Sequence, residues 1–354
     1  MKFWPSHLSP ELIKELRQYS IAAEAQGKLL DKQLQIIYQQ KWFYLFVPEN
    51  RGGLALSLPE AVRLEEEIAY VDGSLGWVVT LCAGAAMFVG FFSIELADEV
   101  FSDQNICIAG SGQVNGIAEK TDQGFIINGT WPYASGAPHA RYFTANCMLE
   151  PEGVVKSFLF KRNEVTLHPQ WKYLGLHATA GFSFSVKDLP VPFTRAFIID
   201  PANAVLKNPV YTYPFLQLAE TTIAANLAGM CHYFIDLAEE IFINKITSNE
   251  RSKAIRNKGL ELINLALVEM EEMRKNFYEA LDRSWILHTS TNQITTCELS
   301  EVSEKSKLLA KNCRKLVNDI YPYCGMDAAK TDTAINQVWR NINTASQHSL
   351  LLKI

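Results

Sequence analysis

The stretch Gly129-Thr-Trp-Pro-Tyr-Ala-Ser-Gly-Ala-Pro-His139 gathers a tryptophan, a tyrosine, a serine and a histidine into one short run. Trp131 and Tyr133 offer flat π-faces, and Ser135 and His139 offer hydrogen-bonding groups, so the run is suited to gripping a flat polar ring. It follows residues 124–128 (GFIIN), whose β-branched residues after a glycine predict a strand. Pro132, Gly136 and Pro138 predict that regular structure ends there and a shaped loop begins. A surface turn with incidental aromatics has the same composition, and the residues alone leave that reading open.

The elements that must carry this loop change texture along the chain. Residues 1–104 read as helical, with a proline-led start at Ser9-Pro10-Glu11, a second at Ser57-Leu-Pro-Glu60, and a break at Val47-Pro-Glu-Asn-Arg-Gly-Gly53. Residues 105–208 hold short β-branched or aromatic runs separated by Gly, Pro, Asn and Asp. Strands are predicted at 106–109, 116–121, 125–128, 142–149, 155–161, 182–189 and 197–199. Their spacing predicts a small antiparallel sandwich or barrel. Residues 209–354 return to helical spacing, with long helices over 215–243, 258–285, 295–321 and 331 onward, the pattern of a four-helix bundle. The fold class is therefore α+β in three domains.

Composition narrows the function classes. The chain has 354 residues, 48% hydrophobic and 20% charged, and a net charge of −5. That balance describes a folded protein and argues against nucleic acid as a partner, because phosphate binding needs a basic face. Seven cysteines without a Cys-x-x-Cys spacing indicate neither a disulfide framework nor a zinc site. The N-terminus lacks a signal-peptide core, so a reducing cytoplasm is the expected location. Residues 75–92 carry no charge and reach the lower length limit for a membrane span. Interior glycines and the lack of flanking basic clusters favour a buried core helix instead.

Several stretches, taken in order, resemble the acyl-CoA dehydrogenase superfamily of flavoproteins. Val47-Pro-Glu-x-x-Gly-Gly53 is similar to its early Pro-Glu-x-x-Gly-Gly turn, and residues 65–77 (EEEIAYVDGSLGW) to the helix that follows. Gly129 to His139 is similar to its Gly-x-Trp strand and flavin-contacting loop. Residues 171–176 (WKYLGL) and 186–192 (VKDLPVP) resemble the later strands, and Val338-Trp-Arg340 the final helix. Within the superfamily, Trp-x-Tyr-Ala-Ser-Gly-x-x-His and the terminal Trp339-Arg-Asn-Ile-Asn-Thr-Ala-Ser-Gln-His348 are more like the two-component flavin monooxygenases. The dehydrogenases carry a catalytic glutamate in this last region; here residues 341–354 hold no carboxylate.

That resemblance implies FAD or FMN as cofactor, supplied reduced by a separate flavin reductase and reacting with oxygen to give a C4a-hydroperoxide. It implies a small aromatic or heteroaromatic substrate in a pocket lined by the apolar helix and the last two helices. His348 becomes the catalytic acid/base and Ser135 a hydrogen-bonding partner of the flavin or its peroxide. Trp131, Tyr133, Ala134, Ser135, Gly136, Ser111, Gly325 and Arg340 become the cofactor contacts, and a homo-oligomer, dimer or tetramer, is expected. The alternative for Trp131 and Tyr133 is core packing, and for His348 a helix-surface position. Departures from the family pattern are the single glycine of Tyr323-Cys-Gly325, Arg340-Asn341 in place of Arg-Asp, and His177-Ala-Thr-Ala-Gly in place of an Arg-containing segment. Arg251 and Arg256 are then the remaining candidate phosphate ligands. A dehydrogenase drawing its base from Glu65, Glu66 or Glu220, and a scaffold that has lost its cofactor, are the competing readings.

Overall fold

The computed structural model describes Phe3 and residues 5–103, 105–291 and 294–352. The expected boundary residue 104 and the last two residues of the expected final helix lie outside the described residues. Short helices α1 (Pro10–Arg17), α2 (Ser20–Gln26) and α3 (Asp31–Gln39) lead to α4 (Leu58–Val71), α5 (Gly73–Ala86) and α6 (Ile94–Val100). The proline-led starts are capped as their residues predict. Ser9 Oγ accepts from the Leu12 amide at 3.2 Å, and Ser57 and Glu60 form a reciprocal capping box. The Asp72 carboxylate then accepts from the Leu75 amide at 2.9 Å and turns the chain into α5.

Helix α5 is apolar on every face because it is enclosed on nearly every face. Among the described residues one stretch, Gly73–Phe91, has the length and composition of a membrane span, and 83% of it is buried inside the chain. Small residues let its neighbours approach: a Cβ on Gly76 would lie 2.6 Å from the Ala69 Cα of α4. The long α8 (Phe215–Asn244) crosses both, and a Cβ on its Gly229 would lie 2.1 Å from the Glu66 carbonyl oxygen.

Seven strands form one sheet in the order β5-β6-β2-β1-β3-β4-β7. They are β1 (Ile108–Thr121), β2 (Gly124–Ala134), β3 (Tyr142–Glu150), β4 (Val154–Lys161), β5 (Thr166–His168), β6 (Phe182–Pro192) and β7 (Ala196–Phe197). Two predicted strands merge into β1, and the sequence reading missed β5. The expected antiparallel barrel or sandwich is corrected to a mixed, open sheet, since β1 and β3 run parallel. The cause is the segment from Ser135 to Arg141, which crosses the start of β1. The Arg141 amide bonds the Cys107 carbonyl at 2.9 Å, so β3 is laid on the far side of β1 in the same direction.

After the short α7 (Pro209–Thr212) come α8, α9 (Glu250–Thr291), α10 (Thr296–Cys324) and α11 (Ala334–Ala345). Helix α9 begins earlier than its apolar spacing predicts and absorbs most of the expected link. Arg256 Nε there donates to the Phe242 carbonyl at the end of α8 at 3.0 Å, which makes it a helix cap instead of a phosphate ligand.

Candidate functional site

Strand β2 continues past the point where the prolines predict a break, through Pro132 to Ala134. Proline is tolerated because no ladder bond is lost. Pairing with β1 has ended at Gly129, and the register with β6 shifts between Trp131 and Ala134. The side chains therefore alternate between faces. Trp131 is fully buried, lies 5.3 Å from the Phe184 ring in a stacked arrangement and donates Nε1–H to the Asn146 carbonyl at 2.9 Å. Its indole is a core group, and it presents no face to a ligand. Tyr133 is turned outward by a left-handed backbone (φ +66), is 46% exposed, and meets the Tyr173 hydroxyl at 3.2 Å.

Beyond Ala134, Ser135 is buried, and its hydroxyl has no hydrogen-bond partner among the described residues. Gly136 adopts φ +77 against α5, where a Cβ would lie 2.8 Å from Cys82 Sγ. His139 is half-buried, and its Nε2 is an orphaned buried atom. Burial, with Lys28 adding to it, pushes its pKa down to about 4, so the ring is neutral. It fits a structural partner of the loop.

Helix α5 forms the floor beside this loop. At about 100° per residue, Trp77, Leu81 and Gly84 share a stripe roughly 60° wide, and Phe88 follows in the 3-10 turn that continues α5. This is also the least enclosed face: Leu81 and Gly84 are half-buried, and a Cβ on Gly84 would meet nothing within 4 Å. Val78 and Cys82, which touch Gly136, flank the stripe on one side. Gly76 and Thr80, which touch Asn226 of α8, flank it on the other. This half-open apolar face of α5 thus lies between the residues that touch Gly136 and those that touch Asn226 of α8. Near its start His348 sits 5.9 Å from the Trp77 ring, edge to face. Burial holds its pKa below the ordinary histidine value, so a neutral imidazole stands beside Trp77 near pH 7.

The remaining expected contacts fall into two groups. Ser111 lies at an irregular stretch of β1 whose register to β3 shifts after it, and the neighbouring Gly112 has open space where a Cβ would be. Asn115 Nδ2 donates to the Thr130 carbonyl at 3.3 Å, so this bulge lies beside the Tyr133 segment. Gly325 and Arg340 are different. Gly325 is exposed at the end of α10, with φ +85. The Arg340 guanidinium is engaged inside the chain, by an ion pair with Glu24 and bonds to Asn336 Oδ1 at 2.7 Å and the Thr331 carbonyl at 3.1 Å. It secures α11, with four of its five N–H donors engaged inside the chain. Arg251 is exposed on α9.

Two of the three candidate carboxylates are held in ion pairs. Glu66 accepts from Arg274 Nε at 2.8 Å and the Tyr278 hydroxyl at 2.6 Å, and Glu220 pairs with Lys307 at 3.0 Å. Glu65 is fully buried between α4, α5 and α8, and burial raises its pKa to about 8.

The residues present fit the ring half of a flavin. An outward tyrosine, a buried serine and an open glycine bulge lie along one stretch of β1 and β2. The phosphate half finds less within this chain, since Arg340 is engaged and a single glycine remains at 325. Sequence reasoning missed the α5 stripe because an all-apolar helix has no amphipathic signal to mark its open face. It also missed Tyr173, whose part depends on a contact with Tyr133 across 40 residues of sequence.

No protein-family model matches the chain. It is 23% identical over 350 residues to an indole-3-acetate monooxygenase of Acinetobacter baumannii, covering 96% of this chain and 89% of that protein. It is 28% identical over 232 residues to HsaA of Mycobacterium tuberculosis, the oxygenase subunit of a flavin-dependent monooxygenase, covering 62% of this chain and 59% of that one. Its fold superposes with a TM-score of 0.83 on XiaF from Streptomyces sp., solved with FADH2 and glycerol, at 19% identity, covering 96% and 92% of the two chains. The family resemblance read from the motifs therefore holds. Relatives of the chain are named as flavin-dependent monooxygenases or their oxygenase components, and its fold is that of solved structures of such proteins.

Proposed function

We propose that this chain is the oxygenase component of a two-component flavin-dependent monooxygenase acting on a small aromatic or heteroaromatic compound. The observation that carries the proposal is that the Ser135 loop, through Gly136, and the neutral His348, through Trp77, both pack against α5. Two further lines support it: the names of the relatives, and the engagement of Glu66 and Glu220 in ion pairs, which takes two of the three candidate bases from the dehydrogenase reading.

Reduced FAD or FMN, when bound, supplies the activation of oxygen. The chain's own groups do the rest. The Ser135 hydroxyl and the main chain of Tyr133 and Ala134 orient the ring edge. The stripe Trp77-Leu81-Gly84, with Phe88 beyond it, seats a flat apolar substrate and excludes water, which strengthens every polar contact at the rim. His348 takes a proton from a phenol- or indole-type substrate, a step for which a base of depressed pKa is already in its accepting form at neutral pH. A flavin reductase is the implied partner. The three-domain division at 104 and 208, a C-terminal four-helix bundle that assembles a dimer or tetramer, and a cytoplasmic setting complete this reading.

Anaerobic titration with oxidised and reduced FMN and FAD tests it first. Binding of a reduced flavin is expected, followed on admitting oxygen by hydroxylation of members of a phenol and indole panel. Failure to bind either flavin in either redox state would sink the proposal and favour a scaffold without cofactor.

A further inference from the structure

The loop that carries Ser135 and the helix that leads to His348 are joined by an unbroken series of hydrogen bonds through residues 175–179. On α11, Asn341 Oδ1 accepts from the Leu176 amide at 2.6 Å and Thr344 Oγ1 accepts from the Gly175 amide at 2.8 Å. The Leu176 carbonyl in turn accepts from the Thr179 hydroxyl at 2.7 Å and from the Thr179 amide at 3.1 Å. The Thr179 carbonyl then accepts from the Gly136 amide at 2.8 Å, next to Ser135.

Three features show that this segment is held to a fixed geometry. Leu176, Ala178, Thr179 and Ala180 are all buried. Leu176 (φ +56) and Ala180 (φ +45) occupy left-handed backbone that non-glycine residues adopt only where surrounding contacts enforce it. Gly175 lies so close to α11 that a Cβ would be 2.4 Å from the Arg340 carbonyl oxygen. Residues 177–179 also pack against α5, so the segment ties the loop, α5 and α11 together.

We propose that Asn341 and Thr344 are positioning residues, setting the Ser135 loop in register with the helix end that bears His348 so that both address one ligand. This rests on the function proposed above, but the linkage itself is a property of the chain alone. Hydrogen–deuterium exchange on the full-length protein, with Thr344→Val, Asn341→Leu and Thr344→Ser, tests it without cofactor. Loss of one such bond from a buried series is expected to raise exchange of the Gly136 amide about tenfold in Thr344→Val and in Asn341→Leu. Thr344→Ser keeps the acceptor and is expected to exchange at the parent rate, with α9 unchanged in all three. Reduced-flavin affinity is expected to fall by a similar factor in the first two variants only. The proposal is overturned if residues 174–177 exchange faster while Gly136 does not, or if α9 loosens to the same extent, which would be general destabilisation. If the parent protein binds no flavin, the proposed function fails while the exchange data still decide the linkage.

Discussion

Replacing Glu65 by Gln should make the protein more stable at neutral pH, and the size of the gain follows from where Glu65 lies. Its carboxyl is fully buried between α4, α5 and α8, with no cation paired to it among the described residues and the Thr80 hydroxyl beside it. Nearby, Asn226 donates to Thr80 Oγ1 at 2.6 Å, which leaves Asn226 Oδ1 without a hydrogen-bond partner among the described residues. Burial raises the Glu65 pKa from 4.5 to about 8. In the unfolded chain the group ionises near its ordinary value, so between those limits the folded state holds a proton that the unfolded state has released. Stability therefore falls as pH rises through this window, by about 1.4 kcal/mol per pH unit. By pH 7 the accumulated cost is about 3 kcal/mol, and it levels off above pH 8.

Glutamine keeps the shape and does not titrate, so the cost disappears. Urea unfolding of parent and Glu65→Gln should coincide near pH 4.5 and diverge by about 3 kcal/mol at pH 7, with the variant the more stable. Other titrating groups are common to both proteins and cancel in the difference. Parallel pH profiles, or a variant weaker than the parent at pH 8, would refute the reasoning.

His348→Asn should lower substrate turnover by about 10²–10⁴-fold while leaving reduced-flavin binding intact, measured as product formed per flavin oxidised. Because burial depresses the His348 pKa, the parent's acid limb should lie below pH 6.5, the ordinary histidine value, and should vanish in the variant. Gly84→Ala should raise stability by about 0.5–1 kcal/mol in thermal unfolding, since helix propensity improves and the added Cβ meets nothing. Gly84→Phe should fill the open space beside α5 and cut turnover of the larger members of an aromatic panel before the smaller ones. Gly136→Ala should cost about 1–3 kcal/mol and weaken flavin binding, because it forces a side chain into φ +77 and against Cys82 Sγ.

Much of this protein was legible in the order of its residues, because local chemistry and patterning decide those features. Ser57 with Glu60 and Asp72 with Leu75 set helix starts through bonds spanning three residues, and β-branched runs between glycines mark strands wherever the chain folds. The motif order, Pro-Glu-x-x-Gly-Gly to Trp-Arg, likewise pointed to the flavoprotein fold, and His348 in place of a glutamate to the monooxygenase branch. Tertiary structure decided what depends on partners far away in sequence. Pro132 stays in a strand because the registers of β1 and β6 free it from donating. The sheet is mixed because residues 135–141 cross β1. Arg340 is a structural tie because Glu24 lies beside it. The aromatic loop at 129–139 divides its labour on the same ground: burial takes Trp131 into the core and turns Tyr133 outward. Only the packing of α11 against residues 175–179, across more than 160 positions, ties the helix before His348 to the segment that bonds Gly136.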